Sequence, residues 1–267
     1  MQKLIRACAQ ALEISAQHFQ AAGCEGRDIV GRNRFGEQAL RLDRELEAVV
    51  LDYFRAERFP FRVVSEEHGV VESSAAPRYL LTLDGIDGSY HYLHDLPEGH
   101  FGTMLSLFDN LTPKYSEVAW AGVMQHKFCK LHQAPDAQAL KNIGTVQDLR
   151  ELELLVLDRE GAFSRENNFS ELDKLGDDTL ILKSWTSILL PFLNGAKIAA
   201  VICTRKNCIE IPILYKLVTQ AGGVMLTAAG RDLGERSYLE HSQDLMMREP
   251  MVIAATRDLA LQLIARL

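Results

Sequence analysis

The chain is expected to fold as a layered α/β or α+β sandwich. Two amphipathic helical stretches open it, a run of short apolar strands follows, and strands then alternate with helices to the end. With 267 residues, 47% hydrophobic and 24% charged, it has an ordinary globular composition and is long enough for two lobes around a substantial core. We divide it into an α+β lobe over residues 1–140 and an α/β lobe over residues 141–267, together forming one unit.

The elements follow from periodicity. From Gln2 to Ala21, apolar residues recur at helical spacing (Leu4, Ile5, Cys8, Leu12, Phe19), and Gly23 ends the run. A second helix is expected from Gly36 to Ala56, with Leu40, Leu46, Val50 and Phe54 on its buried stripe. Phe61–Val64 reads as a strand ending at Ser65-Glu66-Glu67, and Val70–Pro77 as a polar loop. Leu80–Leu83 is an apolar strand that stops at Asp84. Further strands are expected at Gly102–Phe108, Glu117–Met124 and Lys127–Leu131. Pro135–Thr145 is the connector between lobes. Beyond it come strands Glu151–Leu157 and Thr179–Lys183, helix Trp185–Asn194, strand Ile198–Ile202 and helix Ile211–Ala221. Strands Val224–Leu226 and Met251–Ala255 and a closing helix Arg257–Leu267 complete the chain.

Charge and cysteine usage narrow the function. A formal charge of -7 argues against a nucleic-acid binder, which needs a basic surface. The five cysteines, Cys8, Cys24, Cys129, Cys203 and Cys208, lack paired spacing and read as reduced thiols. The N-terminal stretch lacks a secretory signal's apolar core, and no apolar run reaches membrane-spanning length. A cytoplasmic protein is the expectation.

The chemistry concentrates in Asp84-Gly85-Ile86-Asp87-Gly88-Ser89 and Glu66-Glu67. Acids gathered at strand ends form a hard-cation site, because carboxylate and carbonyl oxygens suit magnesium. A helix starting at Gly88-Ser89 would aim backbone N–H groups at a phosphate. Glu67 reads as either a neighbour of the site or a surface acid. Asp43 reads as an exposed helix acid, with an outer metal site as the alternative. Lys183-Ser184-Trp185 reads as helix-opening core rather than substrate contact. His91 and His94, at i, i+3, read as packing or hydrogen-bonding groups rather than a metal pair, and His126 and His132 as exposed.

These motifs resemble the inositol monophosphatase family of metal-dependent, lithium-sensitive phosphatases. The family's Glu-Glu pair matches Glu66-Glu67. Its Asp-Pro-Ile-Asp-Gly-Thr matches Asp84–Ser89, with Gly85 for Pro and Ser89 for Thr. Its Trp-Asp helix start and Glu-Ala-Gly-Gly end match Ile209-Glu210 and Gln220-Ala221-Gly222-Gly223.

The resemblance implies a five-layer αβαβα sandwich, Mg2+ dependence with two or three ions, Li+ inhibition and a homodimer. Glu66, Asp84 and the Ile86 carbonyl would hold one magnesium, and Asp84, Asp87 and Glu210 a second. Glu66 and the Ser89 hydroxyl would orient the attacking water, and Asp87, Gly88 and Ser89 would surround the phosphate. The implied reaction is hydrolysis of a small phosphomonoester. The alternatives are a 3′(2′),5′-bisphosphate nucleotidase, a histidinol-phosphate phosphatase, or a non-catalytic binding protein of the same fold. Gly85 is expected to loosen the turn between the acids, and Glu210, one methylene longer than Asp, to alter the second site.

Overall fold

Seven consecutive buried residues, Gly102–Phe108, mark a strand covered on both faces, and the architecture is built around it. A computed structural model describes residues 1–96, 99–135, 146–158, 184–203, 206–241 and 245–267. Helices α1 (Gln2–Ala22) and α2 (Arg41–Ala56) flank a small hairpin, β1 (Ile29–Arg32) and β2 (Gln38–Leu40). Strands β3 (Phe61–Ser65), β4 (Gly69–Glu72), β5 (Tyr79–Asp87), β6 (Gly102–Phe108), β7 (Val118–Gln125) and β8 (Lys130–Ala134) form a six-stranded sheet, with the short helix α3 (Ser89–Leu93) after β5. Its order is β4-β3-β5-β6-β7-β8.

A second sheet contains β9 (Leu154–Asp158), β10 (Ile198–Ile202), β12 (Val224–Thr227) and β14 (Met251–Ala254), in the order β12-β14-β10-β9. The small pair β11 (Lys206–Asn207) and β13 (Met246–Met247) lies apart from it. Helices α4 (Trp185–Leu193), α5 (Ile211–Gln220) and α6 (Arg257–Ile264) complete the described elements.

Three apolar clusters stack these pieces. Leu4, Leu12, Val50 and Phe54 of α1 and α2 pack on Val63, Leu81, Leu105 and Trp120 of the first sheet. That sheet's other face meets α4 and α5, which also cover Ala200, Met225 and Ile253 of the second sheet. Leu259 and Leu263 of α6 close the far side against Leu155, Val201 and Val252. The order is α, β, α, β, α, the five layers the motifs imply. Among the described residues, no helix is long and apolar enough to cross a membrane.

Several boundaries differ from the sequence reading, each for a tertiary reason. Residues 36–40 do not begin α2. Gly36, at φ +85°, turns the β1–β2 hairpin, and β2 is consumed by pairing. The expected polar loop after Glu67 contains β4, antiparallel to β3 at the sheet edge. Strand β5 does not stop at Asp84 but continues to Asp87 through an irregularity between those two acids. Strand β8 starts later than expected, because residues 126–128 form a 3-10 turn closed by Cys129 at φ +49°.

His126 and His132, expected exposed, are buried. His126 stacks on Phe19 with ring centroids 4.2 Å apart, and its Nε2 lies 2.9 Å from Thr103 Oγ1. Burial depresses its pKa to about 3. Among the described residues, Cys8, Cys129, Cys203 and Cys208 form no disulfide. The expected strand 179–183, and the connector from residue 136 to 145, lie outside the described residues.

Candidate active site

The end of β5, the start of α5 and the loop after β3 converge on one cleft. Its lining includes Glu37, Glu66, Asp84, Ile86, Asp87, Gly88, Ser89, Ser184, Trp185, Lys206, Asn207 and Glu210. Every residue assigned from sequence therefore reaches the same cavity. Glu66, Asp84 and Glu210 each place a carboxylate oxygen within 4.8 Å of the others.

These side chains are pre-oriented by their neighbours. Glu66 accepts from Asn33 Nδ2 at 2.7 Å on one oxygen and from Asn207 Nδ2 at 3.1 Å on the other. Glu210 accepts from the Trp185 indole N–H at 2.8 Å. Asp84 is buried, and among the described residues its Oδ1 has no hydrogen-bond partner. An orphaned buried carboxylate oxygen facing two further acids is costly unless a cation supplies the missing contact.

The electrostatics agree. Burial, then Glu66, Asp43 and Glu210, push the Asp84 pKa well above the usual carboxylate range. Burial and then Glu210 do the same to Glu66. Burial and then Asp87 lift Glu210 to about 8, against a smaller opposing pull from Lys206. Like charges at this spacing cannot all ionise cheaply by themselves. An all-oxygen donor set of this kind fits a hard divalent cation.

Asp87 is placed differently. Its Oδ1 accepts from Trp185 N at 2.9 Å, and its Oδ2 accepts from Ser184 Oγ at 3.0 Å and from Thr186 N at 2.6 Å and Oγ1. It caps the first turn of α4, so it lines the cleft while standing outside the three-carboxylate cluster. Gly88 adopts φ +81°, and Ser89 opens α3, only five residues long. The Ile86 amide donates to Asp43 Oδ1 at 2.9 Å, which fixes the turn's orientation.

Two expectations change here. Asp43 is buried, not exposed. Gly85 has a packing role that the sequence did not show: a Cβ there would overlap the carbonyl oxygen and Oδ1 of Asp43, so α2 sits directly on this peptide. Trp185 is core, as expected, yet also donates to the cleft.

Sequence reasoning missed Glu47, which is fully buried. It accepts from the Ser65 hydroxyl, the amides of Glu66, Glu67 and His68, and His68 Nδ1. Its signal was present: with Asp43 it puts two acids at i, i+4 on the helix face that also carries Leu42, Leu46 and Val50. Asn33, Lys206 and Asn207 had no comparable signal. Glu67 is no surface acid. Its side chain is 2% exposed, and burial and then Glu47 raise its pKa to about 7.

No protein-family model matches the chain, and no curated protein matches it in sequence. Solved structures do. An inositol monophosphatase from Anabaena (Nostoc) is 16% identical, with TM-score 0.68 over 100% of this chain and 97% of that one. An extragenic suppressor protein from Bartonella henselae is 12% identical, with TM-score 0.72 over 99% and 98%. Fructose-1,6-bisphosphatase from Leishmania major is 14% identical, with TM-score 0.70 over 98% and 92%. Since nearly the full length of each chain superposes at these TM-scores, the chain has the inositol monophosphatase fold.

Proposed function

We propose that the protein is a divalent-metal-dependent phosphomonoesterase acting on a small phosphorylated metabolite. The observation that carries this reading is the buried trio of Glu66, Asp84 and Glu210 with the unpartnered Asp84 oxygen. Glu66, Asp84 and Glu210 would hold the cation, magnesium by donor chemistry, and the Ile86 carbonyl lies on the same turn. A cation there would supply Lewis-acid activation and neutralise charge during phosphoryl transfer.

The chain's own residues do the rest. Asn33 and Asn207 hold both Glu66 oxygens, leaving that carboxylate oriented to accept a proton or position a water. Ser89 contributes a hydroxyl at the cleft wall, and Gly88 lets the backbone approach without a side chain. Asp87 holds α4 against the cleft through its four accepted hydrogen bonds. Lys206, over the Trp185 ring at 5.7 Å, offers positive charge to an anionic substrate in an otherwise acidic cleft. Li+ inhibition and a homodimeric state belong to the same proposal.

The test is phosphate release from an inositol monophosphate, fructose bisphosphate, adenosine 3′,5′-bisphosphate and histidinol phosphate, with and without Mg2+. Metal-dependent turnover of one member supports the reading. No turnover on any, with Asp87→Asn equal to wild type, assigns the chain instead to a binding or regulatory role.

A further inference from the structure

A second cleft lies at the edge of the six-stranded sheet, between the β7–β8 hairpin and the last turn of α4. His100, Gln125, Phe128, Lys130, His132, Leu190, Pro191 and Asn194 line it. The catalytic cleft is walled by carboxylates. Among the described residues, this one has none.

Strand alternation sets the chemistry. Lys130 and His132 point to the same face of β8, and Gln125 lies opposite Lys130 in the register with β7. Gln125 Nε2 lies 3.0 Å from His100 Nδ1. His132 is 4% exposed, yet its Nε2 meets no hydrogen-bond partner among the described residues. Buried imidazole nitrogens are ordinarily satisfied, so this one, on the wall of a cleft, is a position that a ligand atom would complete. Burial, then Lys130 and His100, depress the His132 pKa to about 4, so the ring is neutral. A neutral imidazole N–H beside a lysine and an amide is a donor set for anionic oxygen.

We infer that this cleft is a binding site for a small oxyanion, held by His132 Nε2, Lys130 and the Gln125–His100 pair. Its ligand carries a phosphoryl or carboxylate group. The site adjoins α4 at the end opposite the first turn, which Asp87 caps, and His100, on the wall of the site, is bonded through its backbone to that first turn. The His100 carbonyl accepts from Ser184 Oγ at 2.8 Å, and its amide donates to Ser187 Oγ at 3.0 Å.

The test uses metal-free protein in chelator, because the acidic catalytic cleft then repels anions. Inorganic phosphate and malonate are titrated separately by calorimetry. Wild type should bind at least one of them saturably. His132→Leu and Lys130→Met, each with a native circular dichroism spectrum, should weaken binding by roughly tenfold or more, as loss of a charge-assisted or buried donor predicts. Lys130 is exposed, so its replacement keeps the test open should His132→Leu fail to fold. Phosphate alone identifies a phosphoryl ligand, and binding of malonate a carboxylate one. The absence of saturable binding of either anion to wild type, or a folded variant binding as tightly as wild type, overturns the site.

Discussion

At the scale of single residues, the cleft stores unfavourable charge. Asp84 is pressed by Glu66, Asp43 and Glu210 in a buried setting, and one of its oxygens has no donor among the described residues. Asp84→Asn removes one charge at constant shape. In chelator its melting temperature should rise by a few degrees, corresponding to about 1 kcal/mol, while calorimetry should detect no magnesium uptake. A lower melting temperature would show that an internal partner, not a cation, satisfies that carboxylate. Trp185 acts on the neighbouring carboxylate of Glu210. Trp185→Phe keeps the ring near Lys206 but takes a donor from ionised Glu210, so the Glu210 pKa should rise further. The acidic limb of the pH–rate profile should then move to higher pH, and an unmoved limb would remove Glu210 from the titrating set.

At the scale of elements, α2 organises the site from behind. Glu47 gathers three consecutive amides, the Ser65 hydroxyl and the His68 ring, so one buried carboxylate shapes the loop carrying Glu66 and Glu67. Glu47→Ala leaves those donors unsatisfied and should cost about 3–5 kcal/mol in urea unfolding. Magnesium affinity should fall with it. Gly85→Ala forces a methyl into Asp43 and must separate α2 from β5. We expect a loss of about 3 kcal/mol, and a change under 1 kcal/mol would mean the contact relaxes freely. Gly85 was legible as a departure from the family motif, but its purpose was not, because Asp43 lies distant in sequence and meets it only across the α2–β5 interface.

For the whole molecule, the proposed metal site would link stability to cation binding. Glu67 and Glu210 have folded pKa values raised from 4.5 to about 7 and about 8. The folded state therefore holds these protons more tightly than the unfolded chain. Their penalty is absent below about pH 4.5, accumulates as pH rises, and is complete above about 8. Metal-free protein should lose stability across that window. Saturating Mg2+, binding the ionised folded cluster, should flatten or reverse the slope. Thermal melts from pH 5 to 8.5 with and without chelator measure this, and coincident curves would refute the linkage.

Periodicity and punctuation alone determined most of the helices, the central strands and the acidic motif, because apolar spacing and strand-ending acids are local signals. Glu66, Asp84, Ile86, Asp87, Gly88, Ser89 and Glu210 were legible that way or by resemblance, and all line one cleft. Only the tertiary structure decided how they divide. Asp87 is drawn to the α4 N-terminus, a segment far along the chain, and Asn33 and Asn207 reach Glu66 from two other distant segments. It also buried His126, His132 and Asp43, which looked exposed because charge and polarity say nothing of which layer will cover a residue. The edge strand β4 and the β1–β2 hairpin were hidden for the same reason: short strands with little apolar pattern form when a partner strand offers hydrogen bonds.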